Sequence, residues 1–325
     1  MTMDVLNYPA EPVPSVSIVS SIYDLMGYAN LKSLVASIER QPRHDLELVV
    51  VIEKESRGLG QLKEYLHNTA SFPITIIYSS QILGISKSRN LGASHSRGRI
   101  VSFVDDDAQL LGNWAGELVN TFSRHPGAIG VTGPSLPDWE KTQDRWFPQE
   151  LYWAIGCSAW KGLEEEGESD YAWGVNMSFK REVFSECTFR DAFTPGAKAA
   201  GKSGPVGDDV EFSLRAKRSC GGTIIFNPNL KVLHKVPTYK TSALFIRKYA
   251  YWQGFSDARF KEINGAHSAR SATELHALKG TIVNFLPRTT RELFSNPWVA
   301  RRRCSTMVQA LTFFGVGYAA YLLRR

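Results

Sequence analysis

Ile100-Val-Ser-Phe-Val-Asp-Asp-Asp107 is the most informative segment of this sequence. Its first five residues predict a buried strand, and three carboxylates follow directly. In open α/β sheets, ligands bind at the carboxyl ends of the strands. Adjacent carboxylates repel one another unless a cation lies among them, and a hard divalent ion that also contacts phosphates is the usual partner. The triplet therefore predicts a metal site, but a solvated turn before a helix near Asn113 also fits, because acids cap helices.

The residues before this segment alternate between β-rich runs and helix-like runs. Nearly continuous apolar runs are typical of strands with both faces covered, and alternation with helices is typical of a parallel sheet. We therefore predict an α/β fold with a Rossmann-like sheet flanked by helices. The predicted strands are residues 16–20, 46–52, 74–78 and 100–104, and the predicted helices are residues 30–41, 61–68 and 86–96.

The second half of the sequence is less regular. It predicts a strand at 172–179, a helix at 208–218 and strands at 223–226 and 231–234. Aromatic residues crowd 139–160, which fits either a hydrophobic core or cover for the sheet, or a platform for a sugar. Beyond Pro237 the sequence becomes helical, aromatic and basic. We predict a catalytic domain over residues 12–236 and a helical, membrane-associating region over 237–325.

Composition narrows the cellular setting. The chain has 325 residues, of which 43% are hydrophobic, enough for one large domain and an appendage. The first fifteen residues contain Asp4 and Glu11 but no basic segment before an apolar one, so we expect a cytosolic amino terminus rather than a secretory signal. The cysteines form no C-x-x-C pair, which argues against a disulfide framework or a zinc cluster. They are Cys157, Cys187, Cys220 and Cys304.

The carboxyl-terminal residues carry much of the net charge of +6. From Lys279 onward the only acid is Glu292, and the 17 residues 307–323 carry no charge. Anionic head groups attract each nearby Lys or Arg by about 1 kcal/mol, so this pattern predicts a membrane partner, and we expect no nucleic acid partner. A span needs roughly 17 to 25 residues. Crossing the bilayer, lying in one leaflet and forming a buried core helix all remain open.

A second acidic cluster, Gly207-Asp-Asp-Val-Glu211, begins the predicted helix at 208–218. Its carboxylates could cap that helix, or one could remove a proton from an acceptor hydroxyl, which is typically worth about 10² to 10⁴ in rate. His234 ends a predicted strand. A lone histidine is usually a core or surface residue, but a neutral imidazole can complete a coordination sphere begun by carboxylates.

Residues Gly196 to Ser203 match the phosphate-loop pattern G-x-x-x-x-G-K-S. That loop needs a buried strand before it and a helix after it. Here no such strand precedes it, and Gly204-Pro205 follows at once and breaks any helix. The NTPase interpretation is therefore disfavoured, although Lys198 and Lys202 could still close over a diphosphate.

The motifs together resemble family 2 glycosyltransferases of the GT-A fold, over roughly residues 15–234. The resemblance lies in Val16-Ser-Ile-Val, Ile85-Ser-Lys-Ser-Arg-Asn-Leu-Gly-Ala93, Ile100 to Asp107, Gly174-Val-Asn-Met-Ser-Phe-Lys-Arg-Glu-Val-Phe184 and Gly207-Asp-Asp-Val-Glu-Phe. Further segments are similar to archaeal glucosyl-dolichyl-phosphate glucuronosyltransferases of protein N-glycosylation. These are Phe147-Pro-Gln-Glu-Leu-Tyr-Trp153, His234-Lys-Val-Pro and Tyr251-Trp-Gln-Gly254.

The resemblance implies roles for individual residues. Asp107 and His234 match ligands of Mg or Mn, and Asp209 matches the catalytic base. A nucleotide-sugar, expected to be a UDP-sugar, would be bound by six further residues. These are Ser20, Glu53, Lys87, Arg89, Asp105 and Asp106. Glu53 stands where the family usually has an aspartate that reads the base.

The expected activity is inverting, metal-dependent transfer of a sugar to a polyprenyl- or dolichyl-phosphate-linked acceptor. We expect this reaction at the cytoplasmic face of the membrane, with the protein attached through its carboxyl-terminal segment. A bacterial cell-surface polysaccharide glycosyltransferase is the alternative within the same class.

Overall fold

The computed structural model describes residues 2–6, 13–22, 28–53, 58–79, 82–158, 164–190, 204–264 and 284–324. The phosphate-loop pattern at 196–203 lies outside these residues. The chain forms two compact units. The first unit comprises Met1–Leu136, Glu164–Lys202 and Asp208–His234, and the second comprises Pro137–Leu163, Ser203–Gly207 and Lys235–Arg325.

A nine-stranded sheet and a three-stranded sheet are formed by the described residues. The strands are β1 (Thr2–Leu6), β2 (Val16–Ile22), β3 (Leu46–Ile52), β4 (Ile74–Tyr78), β5 (Ile100–Val104), β6 (Ala108–Leu110), β7 (Ala128–Thr132), β8 (Ser135–Trp139), β9 (Gly167–Ser169), β10 (Asn176–Lys180), β11 (Thr223–Phe226) and β12 (Val232–Val236). The larger sheet has the order β1-β4-β3-β2-β5-β10-β7-β11-β9, and the smaller has the order β6-β12-β8. Strands β4, β3, β2 and β5 are parallel, whereas β10 is antiparallel to β5.

Helices connect the parallel strands, as the sequence predicts. They are α1 (Tyr28–Glu39), α2 (Leu59–Thr69), α3 (Ile85–Ser94), α4 (Trp114–Arg124), α5 (Val183–Glu186), α6 (Asp208–Cys220), α7 (Ala243–Asn264), α8 (Leu286–Ser295) and α9 (Pro297–Leu322). The mixed α/β architecture with helices after residue 237 confirms the predicted fold class.

Two hydrophobic clusters cover the two faces of the sheet, which explains why β3 is apolar at every position except Glu47, whose buried carboxylate pairs with Arg97. Leu48 and Val50 pack into one cluster with Leu31 of α1. Val49 and Val51 point to the other face, where they join a cluster that contains Phe212 of α6. Successive side chains of a strand alternate between faces, so every residue of a doubly covered strand is buried.

The aromatic segment after residue 139 forms core in the second unit. Trp146, Phe147 and Tyr152 are buried and pack in a cluster with Ile246 of α7 and Met307 of α9. This arrangement confirms the core interpretation of those three residues. Among the described helices, none is long and apolar enough to cross a membrane.

Candidate active site

The acidic triplet lies at the carboxyl end of β5. All five residues of β5 are buried, and Asp105, Asp106 and Asp107 are partly exposed. The carbonyl of Asp105 accepts a hydrogen bond from the Ala108 amide at 3.0 Å, which closes a turn between β5 and β6. The chain therefore leaves the core at the edge where ligands bind in α/β sheets.

The pairing of β6 with β12 brings His234 to the triplet. In this antiparallel register His234 lies opposite Ala108, and its side chain is buried. His234 Nε2 lies 3.3 Å from Asp107 Oδ1. Asp105, Asp107 and His234 each offer a ligand atom, and these atoms lie within 4.8 Å of one another. Two carboxylates and an imidazole form a donor set that suits Mn²⁺ or Mg²⁺.

Arg89 on α3 connects the triplet with the second acidic cluster. Its buried guanidinium donates to Asp208 and, at 3.2 Å, to the carbonyl of Gly174, and it lies 3.9 Å from Asp105. Burial lowers the pKa of Arg89, but the charges of Asp208, Asp105 and Asp209 outweigh it, so the net pKa is raised. Arg89 therefore stays cationic at the centre of three carboxylates.

Asp208 and Asp209 begin α6 and have different environments. The pKa of Asp208 is raised to about 6, chiefly by burial; the charge of Arg89 lowers it and the like charge of Asp209 raises it, and burial outweighs Arg89. Asp209 is less buried. Its Oδ2 accepts from the Gly174 amide at 2.8 Å, and its Oδ1 accepts from the Val210 amide at 2.9 Å. One carboxylate thus forms an interior ion pair, while the other keeps access to solvent.

Gly174 permits this close arrangement. A Cβ atom at this position would lie 2.9 Å from Arg89 Nη2 and 3.2 Å from Asp209 Oδ2. The sequence predicts a strand over 172–179, but the observed strand β10 begins at Asn176. The Gly174 amide bonds to a carboxylate instead of a neighbouring strand, which explains the shorter strand. The sequence motif contains Gly174, but the pattern by itself did not indicate its role.

Glu53 lies at the end of β3 and holds the start of α3. Its Oε2 accepts from the Gly84 amide at 3.0 Å, and its Oε1 accepts from the Ser88 hydroxyl at 2.9 Å. Because Ser88 precedes Arg89, this contact fixes the backbone that carries the arginine. The predicted contact between Glu53 and the nucleotide base stays a prediction.

Ser20 and Lys87 are further predicted nucleotide-binding residues. Ser20 in β2 is buried, and its hydroxyl has no hydrogen-bond partner among the described residues. Lys87 on α3 is exposed.

A separate cavity of about 790 Å³ is lined by Arg99, Lys180 and Phe184, at the opposite end of β5 from the triplet. It is distinct from the cluster of carboxylates.

The fold and site define a class of enzyme. A parallel sheet whose carboxyl edge carries an Asp-Asp-His cluster, a buried arginine and a further carboxylate pair is an arrangement suited to a nucleotide-sugar. Residues 17–188 match the family model "Glycosyl transferase family 2", which spans more than half of the chain. The protein belongs to glycosyl transferase family 2 and is a glycosyltransferase.

Two named relatives are similar to most of this chain. It is 30% identical over 241 residues to the glucosyl-dolichyl phosphate glucuronosyltransferase of Haloferax volcanii, with 74% of this chain and 75% of the relative covered. It is 28% identical to the succinoglycan biosynthesis protein ExoM of Rhizobium meliloti, with 84% and 82% covered.

A solved structure supports the fold. The mannosyltransferase PcManGT from Pyrobaculum calidifontis, in complex with GDP-Man and Mn²⁺, superposes with a TM-score of 0.56 at 18% identity. The superposition covers 100% of this chain and 91% of that one. This likeness confirms the GT-A architecture.

Proposed function

We propose that the protein is an inverting, metal-dependent glycosyltransferase that moves a sugar from a nucleotide-sugar, in the first instance a UDP-sugar, to a polyprenyl-phosphate-linked acceptor. The observation that carries this proposal is the convergence of Asp105, Asp107 and His234 within 4.8 Å at the edge where Arg89 pairs with Asp208. The family membership supports nucleotide-sugar chemistry at this edge.

Asp105, Asp107 and His234 are the residues that would hold Mg²⁺ or Mn²⁺. Such an ion, when bound, acts as a Lewis acid toward the departing diphosphate. The Mn²⁺ in the PcManGT complex supports a metal in this fold. Arg89 adds a permanent positive charge next to Asp105, which suits an anionic donor.

Asp209 is the proposed base. Its partly exposed carboxylate can accept the proton of an acceptor hydroxyl, while the Gly174 and Val210 amides hold its two oxygens in place. Attack by that hydroxyl at the anomeric carbon breaks the bond to the nucleoside diphosphate in one displacement. A single displacement inverts the anomeric configuration, by the logic that separates one-step from two-step glycosidases.

The acceptor and location follow from different observations. The Haloferax volcanii relative is named for a glucosyl-dolichyl phosphate substrate, and the basic carboxyl-terminal region of this chain suits a membrane surface. We therefore propose action at the cytoplasmic face of the membrane with attachment through residues 237–325. A second candidate, synthesis of a bacterial surface polysaccharide, is supported by the 28% identity to ExoM.

A donor screen tests this proposal. Thermal unfolding of the full chain would be recorded with UDP-, GDP- and dTDP-sugars, each with and without Mn²⁺. A ligand at about 100 times its Kd stabilises the folded state by about 2.7 kcal/mol, so a correct donor raises Tm measurably. We expect a UDP-sugar to do so only with the metal.

The selected donor would then be incubated with glucosyl-polyprenyl phosphate and with a soluble oligosaccharide. Transfer to the lipid-linked sugar supports the proposal, and transfer only to the oligosaccharide supports the polysaccharide alternative. A failure of every nucleotide-sugar to raise Tm would contradict both.

A further inference from the structure

The outward face of α9 carries a series of exposed apolar side chains. Positions three or four residues apart lie on one face of a helix, and along α9 the exposed residues Val308, Leu311, Gly315, Ala319 and Leu322 follow this spacing. We call the large apolar side chains on this face, together with Leu323 directly after the helix, the outer stripe. Its members are Val308, Leu311, Val316, Leu322 and Leu323, each between 48% and 85% exposed. From Val308 to Leu323 the stripe runs about 22 Å at 1.5 Å per residue.

The inward face of α9 is fixed by close contact with α7. A Cβ atom on Gly317 would lie 1.9 Å from the Tyr251 carbonyl oxygen, and one on Gly254 would lie 2.0 Å from the Phe314 carbonyl oxygen. The two backbones therefore touch at glycines. Because this contact sets the rotation of α9 about its axis, the outer stripe cannot turn inward without separating the helices.

Basic residues flank the outer stripe. Arg301 is exposed and lies seven residues before Val308, on the same face of α9. Arg324 directly follows Leu323 at the other end of the stripe. Helix α9 itself contains no Asp or Glu. Nearby carboxylates have partners of their own, since Glu292 pairs with Arg303 and Glu262 accepts from the Tyr321 hydroxyl. The local charge therefore complements an anionic surface.

Aromatic side chains extend the apolar surface at the amino end of α9. Phe294, at the end of α8, is 93% exposed, and Trp298, in the first turn of α9, is 63% exposed. The guanidinium carbon of Arg302 lies 5.1 Å from the centre of the Trp298 ring. Exposed aromatic residues beside arginines are typical of helices that lie in the interfacial layer of a bilayer.

We propose that the outer stripe, with Phe294 and Trp298, lies in one leaflet of an anionic bilayer, with α9 parallel to the membrane plane. This proposal rests on the membrane location proposed above and specifies its form as peripheral contact through one helix face. Contiguous exposed apolar surface rimmed by charge marks an interaction site, and acid-free basic flanks favour anionic lipid over a protein partner.

Vesicle flotation of the full chain tests the contact. The probes are phosphatidylcholine vesicles with and without phosphatidylglycerol. We expect wild-type protein to float with the anionic vesicles, and the double variant Leu311→Gln/Val316→Gln to bind them on the order of tenfold more weakly, because its stripe loses apolar contact area. The matched control is Val13→Gln/Ile82→Gln, which makes the same kind of change at exposed apolar residues of the first unit and should float as wild type does.

Three outcomes would overturn the proposal. If Leu311→Gln/Val316→Gln floated as wild type does, the outer stripe would not be the surface that contacts the membrane. If light scattering without vesicles showed that wild type is a dimer and that Leu311→Gln/Val316→Gln is a monomer, the stripe would be the contact with a second copy of the chain. Resistance of the native membrane-bound protein to alkaline extraction would indicate insertion rather than peripheral contact.

A catalytic readout separates this inference from the proposed function. Asp209→Asn should float as wild type does, since it lies outside the stripe. Vesicle binding without transfer to the lipid-linked acceptor would contradict the proposed function alone. Transfer to that acceptor without vesicle binding would contradict the membrane contact and the proposed attachment, but not the proposed reaction.

Discussion

Arg89 on α3 and Asp208 at the start of α6 form a buried ion pair between positions 119 residues apart in the sequence. Removal of one partner would leave an uncompensated buried charge. Such a change typically lowers the free energy of unfolding by about 3–5 kcal/mol. The pair fixes the second acidic cluster beside the first. Asp209, the adjacent residue, is thereby placed at the same sheet edge as the Asp-Asp-His cluster.

Gly174→Ala should disturb the contacts of Arg89 with Asp208 and of Gly174 with Asp209. The added Cβ would lie 2.9 Å from Arg89 Nη2, so the guanidinium or the Gly174 segment must shift. We expect a loss of about 1–3 kcal/mol in the free energy of unfolding, as for overpacking, and a raised KM for the donor. Gly167→Ala is the matched control, because nothing lies within 4 Å of its added Cβ. Equal stability and KM in the two variants would contradict the role of Gly174.

Asp209→Asn should abolish most of the turnover without unfolding the protein. Loss of a general base typically costs about 10² to 10⁴ in kcat, whereas the fold should survive, because the carboxamide oxygen can still accept from the Gly174 N–H and only the bond from the Val210 N–H is lost. Glu211→Gln is the control. It removes a charge from the same turn, but its carboxylate faces Arg215. Near-wild-type turnover of Asp209→Asn in a folded protein would refute the base assignment.

Asp208 should make stability depend on pH. Its pKa of about 6 in the folded protein exceeds the usual 3.8, so the folded state holds more protons than the unfolded chain between about pH 4 and 6. The contribution of Asp208 to the free energy of unfolding therefore falls as pH rises through that window. Relative to Asp208→Asn, wild type should lose about 1–3 kcal/mol across it. Urea unfolding at several pH values measures the difference, and parallel curves for the two proteins would contradict it.

Much of the sheet is predictable because its strands are covered on both faces. In Leu46–Ile52 six of the seven residues are apolar and both faces carry apolar side chains, so its composition indicates a strand covered on both faces. Strand β1 carries no comparable signal. It is defined by antiparallel pairing with β4, some seventy residues away, and such non-local pairing is invisible in a five-residue segment. The three-residue strand β6 likewise depends on its partner β12.

The sequence predicts most of the individual site residues, but not how close they lie to one another. The sequence predicts the acidic triplet at the sheet edge and the second acidic cluster at the start of a helix, and the structure brings the two together through Arg89. The family resemblance indicated His234, but its distance from Asp107 depends on the register of β6 with β12. Asp105 was expected to contact the nucleotide, yet it also joins the possible ligand set. The acceptor role of both Glu53 oxygens toward α3 could not be read from a side-chain pattern, because it depends on backbone position.

Removal of the metal or its ligands provides the sharpest test of the Asp-Asp-His cluster. Asp107→Ala and His234→Ala should each weaken Mn²⁺ binding in calorimetry and lower kcat/KM by at least about 100-fold, since each removes one of the three ligands that the described residues offer. Exhaustive EDTA treatment should abolish activity, and added Mn²⁺ should restore it in wild type. His125→Ala is the control, because this partly exposed histidine pairs with Glu166 rather than with the cluster. Activity that survives EDTA, or variants that bind Mn²⁺ as wild type does, would show that the cluster is a hydrogen-bonded turn and that transfer proceeds without a metal at these residues.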